Sequence, residues 1–127
     1  MSTTVILLPE TRDNIICLRL RGTVTAPDYK DVFAAVVEDV CARYDWYNIY
    51  VDHDSSFRGW EPEAADLSFR CISTYGGKAR RMAYTNPPDS LHLLMKMLEP
   101  LHTCETRFFD AGEEAVALAW VHQDIHI

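Results

Sequence analysis

The sequence predicts a mixed α/β domain. It forms a mostly parallel five-stranded sheet with helices on both faces, in the order β-β-α-β-α-β-α-β-α. Three observations carry this. Short apolar runs alternate with longer stretches that are apolar at helical spacing, and strands alternating with helices imply a parallel sheet with right-handed crossovers. The first two strands are joined by the turn Thr11-Arg12-Asp13-Asn14, which makes the first strand an antiparallel edge. The chain has 127 residues, 48% hydrophobic and 24% charged, which suits one domain over residues 1–127 with one core.

The elements follow in order. Val5 to Pro9 is a short apolar run, and Pro9 stops it, as suits an edge strand. From Asn14 to Arg21, Ile16, Leu18 and Leu20 alternate with Cys17, Arg19 and Arg21, the pattern of a strand with one apolar face. Thr25 then caps a helix, with Asp28 three residues on as in a capping box and Pro27 in the first turn. Tyr29, Val32, Phe33, Val36 and Val40 form one apolar stripe of that helix. Tyr47 to Val51 is a buried strand, followed by the polar burst Asp52-His53-Asp54-Ser55-Ser56. A second helix starts near Glu61, with Glu61 and Glu63 at its positive end, and stops at Gly76-Gly77. Ala79 to Thr85 is a strand with Met82 and Tyr84 on one face and Ala79, Arg81 and Ala83 on the other. Asn86 or Ser90 caps a third helix, apolar nearly all round from Leu91 to Leu101. Thr106 to Phe109 is the last strand, and a capping box at Asp110 and Glu113 opens the final helix.

Bulk properties narrow the function classes. The net charge of −7 argues against broad nucleic-acid binding, which needs a cationic surface. No apolar run reaches the length of a membrane span, and the N-terminus has no signal-peptide pattern, so a cytoplasmic protein is expected. Contact with a membrane surface stays open, because local patches act despite net charge. Cys17, Cys41, Cys71 and Cys104 lie far apart without a CxxC pair, which reads as buried reduced thiols. No cofactor is expected. His122 and His126 have an i, i+4 spacing that suits a metal on a helix, but they straddle a helix end and have no third ligand, so no metal site is assigned.

The stretch Asn48 to Ala65 draws the most attention, because the carboxyl end of a strand is where ligands sit in α/β sheets. Asp52-His53-Asp54-Ser55 resembles a catalytic triad in print. Neighbours on a strand point to opposite faces, however, and no nucleophile elbow, P-loop or GxGxxG is present. No catalytic residue is assigned.

Several segments together resemble the SpoIIAA-like family of small bacterial proteins, within the STAS-type fold. They are Gly22-Thr23-Val24-Thr25-Ala26-Pro27-Asp28-Tyr29, the corner Asp52 to Trp60 with Phe57-Arg58-Gly59-Trp60, Arg81-Met82-Ala83-Tyr84, and Arg107-Phe108-Phe109 followed by Glu114-Ala115 and Ala119-Trp120. The resemblance implies a non-enzymatic domain compared with anti-sigma-factor antagonists. It also implies a role in carrying or sensing nonpolar ligands near a membrane.

Two site hypotheses follow. A nonpolar small molecule or lipid would be lined by Trp60, Leu67, Leu91, Leu94, Met95 and Leu98; the competing role for these residues is plain core or a homodimer interface. A regulatory protein partner would be controlled through a phosphoacceptor at Ser55 or Ser56, as in antagonists with a serine at this corner. Asp52, Asp54, Glu61 and Glu63 put negative charge around that serine pair, and Asp54 or Ser55 serves equally as a turn cap. Lys78, Arg80 and Arg81 form one basic cluster, which suits lipid headgroups or a polar strand edge.

Overall fold

The computed structural model describes residues 4–89 and 104–123. The main sheet has five strands, in the spatial order β1 (Val5–Leu7), β2 (Ile15–Leu20), β4 (Tyr47–His53), β6 (Ala79–Thr85) and β7 (Glu105–Phe109). Only β1 is antiparallel; the pairs β2–β4, β4–β6 and β6–β7 are parallel. A separate two-stranded parallel sheet joins β3 (Thr23–Val24) to β5 (Gly59–Trp60). It leaves no periodic sign in the sequence, because two residues are too short to show alternation.

The first helix enters as expected. Thr25 Oγ1 accepts from the Asp28 amide at 3.2 Å, and Pro27 sits in the first turn of α1 (Ala26–Asp28). The Asp28 carboxylate accepts from the Thr4 amide and hydroxyl, at 3.0 and 2.6 Å, which ties the start of the chain to this helix. Tyr29–Ala34 winds as a π-helix and leads into α2 (Ala35–Arg43). The wider turn shifts the inward stripe by a residue. Tyr29, Val37, Val40 and Cys41 are buried, while Val36 is only half-buried.

Helix α3 (Pro62–Tyr75) starts directly after Glu61, where it was expected, and passes into a 3₁₀ turn at Gly76–Lys78. Helix α4 (Glu114–Val121) closes the described chain; the Glu113 carboxylate reaches back to the Asp110 amide at 2.8 Å, half of the expected box. The apolar stretch from Leu91 to Leu101 lies outside the described residues.

Helices cover both faces. On one, α2 and α3 lie over a core that includes Ile16, Leu18, Leu20, Ile49, Val51, Met82 and Tyr84. On the other, Ala117, Trp120 and Val121 of α4 pack on Cys17, Tyr50 and Ala83. The alternation of β2 thus reads correctly, except that Cys17 is as buried as its neighbours. The register of β6 departs from simple alternation. Tyr47 pairs with Ala79 and Asn48 with Arg81, so Arg80 is an extra residue. That bulge moves Ala79 into the core with Met82 and Tyr84, not onto the face of Arg81 and Ala83. Arg80 is freed to stack on Trp46, its guanidinium carbon 4.7 Å from the ring centre.

Candidate functional site

The corner after β4 begins inside the strand. Asp52 and His53 continue β4 and are almost fully buried, although the sequence places them in a polar burst beyond it. Alternation sends them to opposite faces, so the printed triad does not assemble. Asp52 accepts from Arg19 Nε at 2.8 Å and from the Thr85 hydroxyl, which also contacts the Tyr50 hydroxyl at 2.9 Å. These four side chains form a hydrogen-bonded row across β2, β4 and β6. Burial pushes the Tyr50 phenol up to about 12, so it stays a neutral donor.

On the other face, His53 Nδ1 lies 3.1 Å from the Thr85 carbonyl and acts as donor there. Its ring meets Phe57 edge-on at 4.9 Å. Burial lowers the imidazole below its ordinary value, against weaker opposing effects of that hydrogen bond and of Asp52. Phe57 continues to Trp60 at 6.4 Å, and Trp60 to the fully buried Tyr29 at 5.6 Å. An aromatic row therefore runs from the strand end to the π-helix beneath α3.

The turn itself is locked by short contacts. Asp54 accepts from the Ser56 amide at 3.1 Å and the Ser56 hydroxyl at 2.6 Å, an Asx-type turn. These two bonds hold the Asp54 carboxyl below its ordinary value, with Arg19 and Arg21 adding to the effect. Ser56 Oγ also accepts from the Gly22 amide at 3.3 Å. The Arg58 amide donates to the Gly22 carbonyl and the Glu61 amide to the Val24 carbonyl, at 2.8 and 2.9 Å. Gly59 has φ +131°, a conformation other residues rarely adopt, and this allows the chain to turn into β5. The corner is thus stitched to the Gly22–Val24 segment and launches α3 at a fixed angle.

The two serines differ. Ser56 is a structural bridge between Asp54 and Gly22, so Asp54, not Ser55, is the turn cap. Ser55 is exposed, and its hydroxyl has no partner among the described residues. The negative charge expected around them is partly spent: Asp52 is buried against Arg19. Arg58 projects into solvent with no ion-pair partner among the described residues.

Of the six residues expected to line a nonpolar pocket, Leu91, Leu94, Met95 and Leu98 lie outside the described residues. Trp60 and Leu67 are half-buried against the same core. Two surface clefts lie elsewhere. One, about 420 Å³, sits between Trp46, Gly77, Lys78, Arg80 and Glu105; the other, about 510 Å³, runs between β1 and the π-helix and start of α2. The expectation missed Phe69 and Ile72 of α3, which are 67% and 37% exposed. Their i, i+3 spacing places them together on the outward face. The only signal in the sequence was that apolar residues of this helix cover more than one side.

The remaining candidates are occupied. Lys78 donates to the Cys41 carbonyl at 3.2 Å, and Arg81 to the Trp120 carbonyl and the Gln123 side chain, both at 2.9 Å. Both ring nitrogens of His122 contact carbonyls, Leu118 at 2.7 Å and Glu10 at 2.9 Å. His126 lies outside the described residues, among which no group of three metal-type side chains occurs. No disulfide joins the four cysteines; Cys17 and Cys41 are buried, whereas Cys71 and Cys104 are only half-buried. Burial pushes the Cys17 thiol up to about 12, which keeps it unreactive.

A family model described as SpoIIAA-like matches residues 15–122, a span that holds every corner contact above. The chain belongs to the SpoIIAA-like family. No curated protein matches it. Among solved structures, it is similar to an uncharacterized protein of the DUF3478 family with a SpoIIAA-like fold, from Shewanella loihica PV-4. That likeness has a TM-score of 0.72 and 16% identity, covering 95% of this chain and 98% of the other. It is also similar to the anti-sigma factor antagonist SpoIIAA in its unphosphorylated form. There the TM-score is 0.53 and the identity 12%, covering 89% of this chain and 94% of the other. At these identities the likenesses establish a shared SpoIIAA-like fold. Among the described residues, no helix is long and apolar enough to cross a membrane.

Proposed function

We propose that this chain is a single non-catalytic regulatory domain that works by protein contact through the corner and the outward face of α3. The observation that carries this reading is the exposed pair Phe69 and Ile72 on the helix that the stitched corner launches. Adjacent exposed apolar side chains supply the apolar centre that a contact surface needs. Exposed Arg58 adds a charged side chain at the corner. The structurally similar protein named as an anti-sigma factor antagonist supports the same class of role. Ser55 is the accessible candidate for a phosphoacceptor at this surface, since Ser56 is committed to the turn.

The reading is tested by quantitative affinity capture from the host, comparing the wild-type chain with Phe69→Asp, Arg58→Glu and Ser55→Glu. A partner held by the wild type should be reduced at least tenfold by Phe69→Asp, with an unchanged circular dichroism spectrum. A partner set indifferent to Phe69→Asp and Arg58→Glu removes the proposed surface, and one indifferent to Ser55→Glu removes the switch.

A nonpolar ligand is the second reading, favoured by the same exposed apolar side chains and by half-buried Trp60 and Leu67. It would make the chain a carrier or sensor acting at a membrane surface. Native mass spectrometry of gently purified protein separates the two: retained lipid supports the carrier, and uniformly empty protein leaves protein contact.

A further inference from the structure

The two edges of the main sheet differ in how they end. Edge strand β1 spans three residues and is followed closely by Pro9. The opposite edge, β7, spans five residues and carries charges of both signs. We infer that β7 pairs antiparallel with β7 of a second copy of this chain, about a two-fold axis at Thr106.

The main-chain directions fix the register. The Asn86 amide donates to the Phe109 carbonyl at 2.9 Å, so the peptide groups of Phe109 face β6. In a parallel ladder both groups of one residue face the same neighbour, and the next residue's face the other way. The groups of Glu105, Arg107 and Phe109 therefore bond toward β6, and those of Thr106 point outward. Thr106 is the second residue of β7, flanked on either side by the two charges, and its amide and carbonyl have no main-chain partner among the described residues. An outward-facing residue on a two-fold axis exchanges both hydrogen bonds with its own copy.

That register places Glu105 directly opposite Arg107 of the second copy, once on each side of the axis. Both side chains stand on the sheet face that carries α4, and both are exposed. Neither belongs to an ion pair among the described residues. Arg107 is held in place by its position over the Trp120 ring, 4.8 Å from guanidinium carbon to ring centre. Charge of one sign on an edge strand repels a copy. Here the charges are opposite and equidistant from Thr106, so antiparallel self-pairing turns them into attractive cross-strand pairs. This surface is separate from the corner, which lies at the end of β4.

The contact is short, which places it among weak, reversible associations. Sedimentation velocity over a concentration series into the hundreds of micromolar should show a monomer–dimer equilibrium. Glu105→Arg and Arg107→Glu should each weaken it about tenfold, since each creates two like-charge pairs. Mixing the two variants should restore dimers, because one variant then carries two cations on this strand and the other two carboxylates, and each cation faces a carboxylate. Thr106→Pro, which removes an outward-facing donor and leaves the β6 ladder intact, should abolish the dimer while the circular dichroism spectrum is kept. A wild-type chain that stays monomeric throughout the series overturns the inference. So does a dimer that survives Thr106→Pro, or single-charge variants whose mixture gains nothing.

Discussion

Along β4, Tyr47, Ile49, Val51 and His53 face the core under α2 and α3, while Asn48, Tyr50 and Asp52 face α4. The two sides are held by different forces. The first is an apolar layer in which Leu18, Ile49 and Val51 interdigitate with Val37 and Val40. The second has fewer apolar partners and fixes itself by hydrogen bonds. Asn48 Nδ2 donates to the Val121 carbonyl at the end of α4 at 2.8 Å, and Asp52 gathers Arg19 and Thr85. An apolar layer tolerates small shifts; a buried row of polar groups does not, since each unmet donor costs its full desolvation. One strand thus supplies the adhesive for one helical layer and the register for the other.

Thinning each side in turn tests the contrast. Ile49→Ala should cost about 3 kcal/mol in urea unfolding, from lost transfer energy and the cavity left behind. A loss under about 1 kcal/mol would mean that the apolar layer closes over the gap and is looser than its burial indicates. Asp52→Ala should cost somewhat less, about 2 kcal/mol, because Thr85 loses a buried acceptor whereas Arg19, 41% exposed, regains water. A double-mutant cycle with Thr85→Val locates that loss in the pair; a coupling near zero would show that the row contributes nothing to stability.

The smallest effect comes from pH, and it arises on the apolar side. Burial holds the His53 imidazole below its unfolded value, so between the two values the unfolded chain binds more protons. Stability is therefore fully present above about pH 6.5 and declines as pH falls toward the folded value. The wild-type urea midpoint should drop more between about pH 7.5 and about pH 5.5 than that of His53→Asn. Equal drops would place the acid sensitivity elsewhere.

Much of the fold was legible because it depends on near neighbours. The Thr25 cap, the helix starting at Pro62 and the alternation of Ile16, Leu18 and Leu20 each express a local rule. The corner was located correctly, and its Asp54 turn follows from the preference of Asx side chains for nearby amides. Its role in joining β3 to β5 was not legible, since Gly22 and Ser56 meet across 34 residues. Asp52 and His53 read as a polar burst beyond the strand for the same reason: the partners that make their burial tolerable lie 33 and 32 residues away. Phe69 and Ile72 could not be separated from core residues, because hydrophobicity gives no direction when a helix is apolar on several sides.

Local sequence is enough for the order of the five main-sheet strands, the helices that follow β2, β4 and β7, the antiparallel first edge and the place of the corner. Periodicity, caps and prolines act within a few residues and are written in the chain. Three things waited for the assembled fold: which polar groups are inside, where the π-turn and the Arg80 bulge shift the inward faces, and which apolar side chains stay outside. Those outcomes depend on pairings between distant strands, where one residue of register reverses every side chain beyond it.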